Sequence, residues 1–250
     1  MPKTRIALLH YASPPVVGGV ESTIGAQARL LTDAGYDVRI VTGRGDCFDT
    51  RVPVEVIPEL GSSHPRVLGV QRALAAGVVD ADFRSLVLDL SGRLSAALDV
   101  DVCIAHNLLT LHKNLAATAA LRDLSGAGAV RLVAWSHDFA WSDPIYAPDV
   151  HPGFPWDLLR QPWRGVRNVV VSDSRRQELA SLLEVDPGEI KAIPPGIDPL
   201  EFLGVSAAAA SWTAEFGLLE AAPLLLLPAR VTRRKNIELA IEITAALRSQ

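Results

Sequence analysis

Residues 5–43, RIALLHYASPPVVGGVESTIGAQARLLTDAGYDVRIVTG, constrain the fold more than any other stretch of this chain. They read as an apolar strand, a loop whose two prolines close on Gly18-Gly19, a helix and a second strand. Val20, Ile24, Ala28 and Leu31 recur at spacings of four, four and three, so one helix face is apolar and can lie on a sheet. The unit is a βαβ opening. Ligands of open α/β sheets sit beyond the carboxyl ends of the strands, which puts the loop between Leu9 and Val20 where a ligand would be met. Gly18 and Gly19 matter there, because residues without a Cβ let backbone amides approach a ligand at a helix N-terminus. Glu21 falls in the first helical turn, a place the helix dipole favours for a carboxylate in any protein.

Further short strands alternate with helices. Residues 52–57 read as a strand, 66–98 as two helices broken between Gly77 and Asp82, and 100–105 as a buried strand ending on His106-Asn107. A helix over 111–124 follows. Residues 130–135 form the next strand, again ending on a polar set, Ser136-His137-Asp138. After a long connection, residues 168–172 return to strand, Asp173 or Ser174 caps a helix to about Leu183, and 190–193 make one more strand. The expected fold class is therefore α/β, a doubly wound, largely parallel Rossmann-like sheet.

The connection over residues 139–165 stands apart, with five prolines, Trp141, Trp156, Trp163, Tyr146 and two phenylalanines. It reads either as a binding loop or acceptor-side lid or as a packed Ω-loop. Past Gly196 the composition shifts. Residues 1–196 form the first domain, 197–222 a connector with a short helix around Trp212, and 223–250 the start of a second domain. In that start, 224–227 are a strand, 229–235 a loop, and Asn236 the cap of a helix carrying Ile237, Ala240, Ile241, Thr244 and Leu247 on one side.

Composition narrows the function classes. At 49% hydrophobic and 21% charged the chain is globular, and a net charge of −4 with no long basic run argues against a nucleic-acid partner. No signal segment is evident, and no run of about 18 apolar residues occurs, so a cytoplasmic location is expected. Cys47 and Cys103 lack any disulfide or zinc spacing and read as reduced thiols.

Two strand ends carry candidate chemistry. His137 at a carboxyl end beside Asp138 reads either as a group that bonds a substrate hydroxyl or moves its proton, or as a histidine satisfied by local backbone. His106 and Asn107 are a weaker version of the same pattern. No HxH or HExxH spacing supports a metal. In the loop ARVTRRKN, Arg230 and Lys235 precede a helix N-terminus, an arrangement suited to a diphosphate or simply to a solvated basic loop. Neither a P-loop nor a GxGxxG fingerprint is present.

In order along the chain, Gly18-Gly19-Val20-Glu21, His106-Asn107, Ser136-His137, VVVSDSRRQEL, IPPGIDPLEF and Arg230 to Asn236 resemble the retaining family-4 glycosyltransferases of GT-B architecture. The resemblance spans nearly the whole chain. It implies two facing Rossmann-like domains, the first holding the acceptor and the second a nucleotide diphosphate sugar. It implies that Gly18 and Gly19 face the donor phosphates and transferred sugar, that His137 contacts the sugar catalytically, and that Arg230 and Lys235 hold the diphosphate. Glu21, His106, Asn107 and Asp138 become acceptor-side candidates. A hexose would be transferred with retention, by front-face attack in which a donor phosphate oxygen takes the acceptor proton, with no metal or other cofactor required. The acceptor class implied is a sugar, a small molecule or a lipid-linked glycan, the last with peripheral contact at the inner face of the membrane. Pro195 stands where the family usually has asparagine. The family's pair of glutamates for donor sugar and ribose is expected beyond residue 250, so the chain would pair with a missing C-terminal half to be complete. The alternative is a non-catalytic sugar- or partner-binding Rossmann-like module that lacks the donor half.

Overall fold

A computed structural model of the chain describes residues 3–199, 203–222, 224–227 and 233–248. Its contacts divide it into two units, Met1–Gly196 and Ile197–Gln250.

The first unit is built on seven strands: β1 (Arg5–His10), β2 (Asp37–Thr42), β3 (Val54–Val56), β4 (Val102–His106), β5 (Leu132–Ser136), β6 (Arg167–Val170) and β7 (Ile190–Ala192). They hydrogen-bond in the order β3-β2-β1-β4-β5-β6-β7, and every pair is parallel. The order reverses between β1 and β4. Crossovers leaving these two central strands run to opposite sides, which opens a crevice above their carboxyl ends.

The helices follow from the apolar periodicity. On one face, α1 (Gly19–Asp33) sets Ile24 and Ala28 against Ile6 and Leu8 of β1 and Val38 and Ile40 of β2. The alternate residues Ala7, Leu9 and Val41 point into the larger cluster on the other face. Both faces of β1 are therefore buried, as in a parallel sheet covered by helices. That second face receives α2 (Pro65–Ala75), α3 (Ala81–Ala97) and α4 (Leu115–Gly126). Phe83, Leu86, Leu90 and Leu94 of α3 lie along one buried stripe, and alanines 116, 117, 119 and 120 keep α4 thin enough for close packing. A smaller cluster joins Phe139, Val170 and Ile190 to Leu179, Ala180 and Leu183 of α5 (Asp173–Leu183).

Several boundaries differ from the sequence reading for identifiable reasons. The third strand starts at Val54 because Pro53 has no N–H and only accepts, its carbonyl taking the Ile40 N–H at 2.9 Å. The cap of α5 is Ser172, whose hydroxyl accepts the Arg175 N–H at 3.2 Å, so the preceding strand stops at Val170. The helix expected over 111–124 begins as a 3-10 turn, His112–Asn114, and Asn114 then caps α4 by accepting the Ala117 N–H. Residues 224–227 form no strand, since no partner strand pairs with them among the described residues.

The long connection 139–165 is packed. Trp156, Leu159 and Trp163 are buried in the main core, the indole N–H of Trp141 donates to Trp156 O at 3.1 Å, and that of Trp163 donates to Leu158 O at 3.0 Å. Arg160 lies 4.1 Å above the Trp141 ring. The connection is thus packed onto the main core through its own aromatic residues. Cys103 is buried, which pushes its thiol up to about 12, while Cys47 is exposed, and neither is in a disulfide. No helix among the described residues is long and apolar enough to cross a membrane.

The second unit contains α6 (Ala207–Phe216), capped by the Ser206 hydroxyl and closed by Gly217 in the left-handed region, and α7 (Ile237–Arg248). Asn236 precedes α7 at φ 44°.

Candidate functional site

The carboxyl ends of β1, β4 and β5 deliver His10, His106-Asn107 and Ser136-His137-Asp138 to the same rim of the sheet. Beside them lies the N-terminus of α1. Gly19, Val20, Glu21, His10, Asn107, Lys113, His137, Asp138, Ser172 and Arg175 are among the residues that line a cleft there of about 500 Å3.

Asn107 organises the rim. It sits at φ 59°, a left-handed conformation that asparagine tolerates better than most residues, and this turns the chain sharply off β4. Its side-chain oxygen accepts the His137 N–H at 2.7 Å and the Asp138 N–H at 3.3 Å, and its Nδ2 donates to the Asp138 carboxylate at 3.4 Å. One amide therefore ties the end of β4 to the end of β5.

Behind the rim the histidines are in series. The His10 ring and the His106 carbonyl are 2.8 Å apart at Nδ1, so His10 carries its proton on Nδ1 and donates. His106 is fully buried, its ring stacked on Trp135 at 5.7 Å between centroids. Its Nε2 meets the Gln27 side-chain oxygen at 3.0 Å and its Nδ1 meets His137 Nε2 at 3.2 Å. With the Gln27 amide oxygen facing it, His106 donates from Nε2 and accepts at Nδ1. His137 must then donate from Nε2, which leaves its Nδ1 as an acceptor.

Burial keeps all three rings neutral. His10 is pushed down to about 4, chiefly by desolvation, with His137 and Lys113 acting in the same direction against its bond to the His106 carbonyl. His106 lies well below the usual imidazole value, through burial first and its two histidine neighbours second. His137 is lowered by its partial burial, opposed by the Asp138 charge. Fixed charge enters from α5. Arg175 reaches Asp138 at 3.5 Å and Glu178 at 2.7 Å, with its guanidinium 5.3 Å from the Phe139 ring centre.

The sequence-predicted residues divide accordingly. Gly19, Glu21, Asn107, His137 and Asp138 meet at the cleft, and His106 stands directly behind His137. Gly18 lies one residue outside the lining. Its φ of −177° is extended backbone, and a Cβ there would collide with the Glu21 carboxylate folded over it. Nothing lies within 4 Å of the position a Cβ would take on Gly19, so the chain itself does not require glycine there. Lys235 is exposed in a 3-10 turn of the second unit, and Arg230 lies outside the described residues. His10, Gln27, Lys113 and Arg175 were not singled out from sequence. Only His10 carried a signal, as the polar last residue of an apolar strand. No group of three or more metal-ligating side chains is found among the described residues.

Comparison with known proteins gives this arrangement a context. Mannosylglucosylglycerate synthase of Thermotoga maritima is 25% identical over 264 residues, covering 98% of this chain and 57% of that protein. Among solved structures, WaaG, a glycosyltransferase involved in lipopolysaccharide biosynthesis, superposes with a TM-score of 0.47 and 15% identity over 85% of this chain and 51% of its own. A glycosyltransferase from Rickettsia africae gives 0.46 and 12% over 87% and 50%. The chain thus spans about half the length of the relatives it matches. A family model described as Glycosyltransferase Family 4 matches residues 17–200, most of the chain and nearly all of its seven-stranded unit. The chain belongs to glycosyltransferase family 4.

Proposed function

We propose that the protein transfers a hexose from a nucleotide diphosphate sugar to an acceptor hydroxyl, with retention at the anomeric carbon, and that the cleft at the β1, β4 and β5 ends receives the reacting groups. The observation that carries this reading is the convergence of His137, Asn107 and Asp138 with the open amide face of Gly19 on one rim. A neutral His137 with a free acceptor nitrogen suits a sugar hydroxyl, which donates one hydrogen bond and needs no counter-charge. The Gly19 position leaves room for a ligand to approach the first amides of α1, where the helix dipole favours an anion.

In the proposed reaction the acceptor oxygen bonds to the anomeric carbon as the bond from that carbon to the donor phosphate oxygen breaks. The acceptor proton passes to a phosphate oxygen of the departing nucleotide diphosphate. Negative charge grows on that diphosphate, and cations placed against it lower the barrier. Arg230 and Lys235 are assigned this role on the family resemblance. His137 orients the sugar, while Asn107 fixes the backbone that carries it.

Calorimetric titration with UDP, GDP and ADP and their glucose and mannose conjugates tests the reading. Binding of at least one conjugate, abolished in Arg230→Ala/Lys235→Ala and weakened in His137→Ala, is expected. If none binds, or if binding ignores all three substitutions, the reading fails and a sugar- or partner-binding module takes its place.

A further inference from the structure

We infer that the acceptor carries an anionic group, a carboxylate or a phosphate, and that Lys113 binds it. The inference rests on the proposed transferase reading, because it assigns a ligand to the same cleft.

The backbone around Lys113 is held on both sides. Gln71 Nε2 donates to the Lys113 carbonyl, and Asn114 next to it caps α4 while its Nδ2 donates to Glu59 O at 2.8 Å and Leu60 O at 3.2 Å. The 3-10 turn His112–Asn114 therefore presents Lys113 from a fixed base. Its side chain is half-buried and lines the cleft together with His10 and His137.

The lining carries two cations, Lys113 and Arg175, and two carboxylates, Glu21 and Asp138, but the ion pairs formed leave Lys113 aside. Arg175, the other cation in the lining, is matched by Asp138 and Glu178. The Glu21 carboxylate is folded back over Gly18, and the side chain of Glu59, whose carbonyl Asn114 holds, is paired with Arg93 at 3.0 Å. No carboxylate among the described residues pairs with Lys113. A cation in the lining that no carboxylate holds is open to a charge-assisted bond with an anionic ligand. The neighbouring imidazoles of His10 and His137 cannot supply that anion, since an imidazole is either neutral or cationic. A neutral saccharide would leave the charge unmatched, whereas a sugar acid, a sugar phosphate or a phosphorylated headgroup would pair with it.

The test uses glucuronate, glucose 6-phosphate and glucose as probes, at constant ionic strength set with chloride. Imidazole C–H resonances of His10 and His137 report on occupancy beside Lys113. Saturable shifts are expected with glucuronate, with glucose 6-phosphate or with both, the pattern separating carboxylate from phosphate, and glucose should bind at least tenfold more weakly. Lys113→Met should remove the preference for the anion and Lys113→Arg should restore it. Equal binding of glucose and the charged probes overturns the inference, as does an anion preference that survives in Lys113→Met. Arg230→Ala/Lys235→Ala separates this outcome from the donor reading. It should abolish nucleotide binding and leave the glucuronate response in place, so either reading can fail without the other.

Discussion

Acidification from pH 7 to pH 5 should destabilise the first unit, and the histidine series is the source of the effect. A histidine whose folded value is depressed contributes stability that is fully present above its unfolded value of 6.5 and lost as pH falls toward the folded value. For His10, buried and held near 4, the unfolded chain takes up a proton in this interval and the folded chain does not. Moving from pH 7 to pH 5 then costs about 2 kcal/mol from this one group. His106, fully buried and likewise lowered by its burial, acts in the same direction. His137 shifts the same way through its burial, with Asp138 opposing it. The carboxylates act elsewhere. Asp49, held near 2 by Arg51, loses its contribution only as pH falls below its usual 3.8, and Asp101 is displaced in the same direction by Arg5. Urea unfolding at pH 7, 6 and 5, followed by the fluorescence of Trp135, Trp141, Trp156 and Trp163, reads the effect within the first unit. His10→Gln keeps a side-chain donor for the His106 carbonyl and removes one proton site, so it should lose about 2 kcal/mol of the pH difference. Equal stability at pH 7 and pH 5, or an unchanged slope in His10→Gln, would refute the assignment of neutral buried imidazoles.

Gln27→Met removes the acceptor that fixes His106, leaving a buried N–H unpaired, and should cost about 1–3 kcal/mol in denaturation. Nitrogen-15 spectra of the imidazoles should show His106 and His137 both protonated at Nε2 in the parent and mixed tautomers in the variant, and an unaltered spectrum would disprove the series. Gly43→Ala places a Cβ against the Gly61 backbone, where no side chain can swing aside, so a loss of about 1–3 kcal/mol is expected and a neutral result would count against that close approach.

The sheet was legible because its central strands β1, β4 and β5 are short, mostly apolar runs ending on polar residues, and because helices such as α1 and α3 carry clear apolar stripes. Its topology followed from alternation alone, since strand-helix-strand repeats leave few arrangements other than a parallel sheet. The errors lie where a single local bond decides the outcome. Pro53 and Ser172 each moved a boundary through one donor or acceptor, and periodicity does not register such effects. Residues 224–227 show the limit of the pattern most plainly. Four leucines look like a buried strand, but a strand exists only where another strand pairs with it. The aromatic loop was ambiguous for a related reason, because tryptophans that fill a core and tryptophans that stack on a ligand have the same composition.

At the cleft, the residues found from sequence are those at strand ends, and the ones missed act across the chain. Gln27 touches His106 over 79 positions, and His10 reaches the His106 carbonyl over 96. Neither contact has a spacing signature. They nevertheless determine what His137 can do. Because the Gln27 side-chain oxygen accepts the Nε2–H of His106, His106 accepts from His137 at Nδ1, and the outer nitrogen of His137 is left as a neutral acceptor. A ring in that state can hold a hydroxyl in place but cannot offset the negative charge that forms on a departing diphosphate. On the proposed reading the work therefore divides in two: the histidine series orients the sugar, and charge compensation must come from cations. Of the cations at this rim, Arg175 is already matched by two carboxylates, while Lys113 has no such partner among the described residues, which is why the proposed acceptor anion is assigned to it.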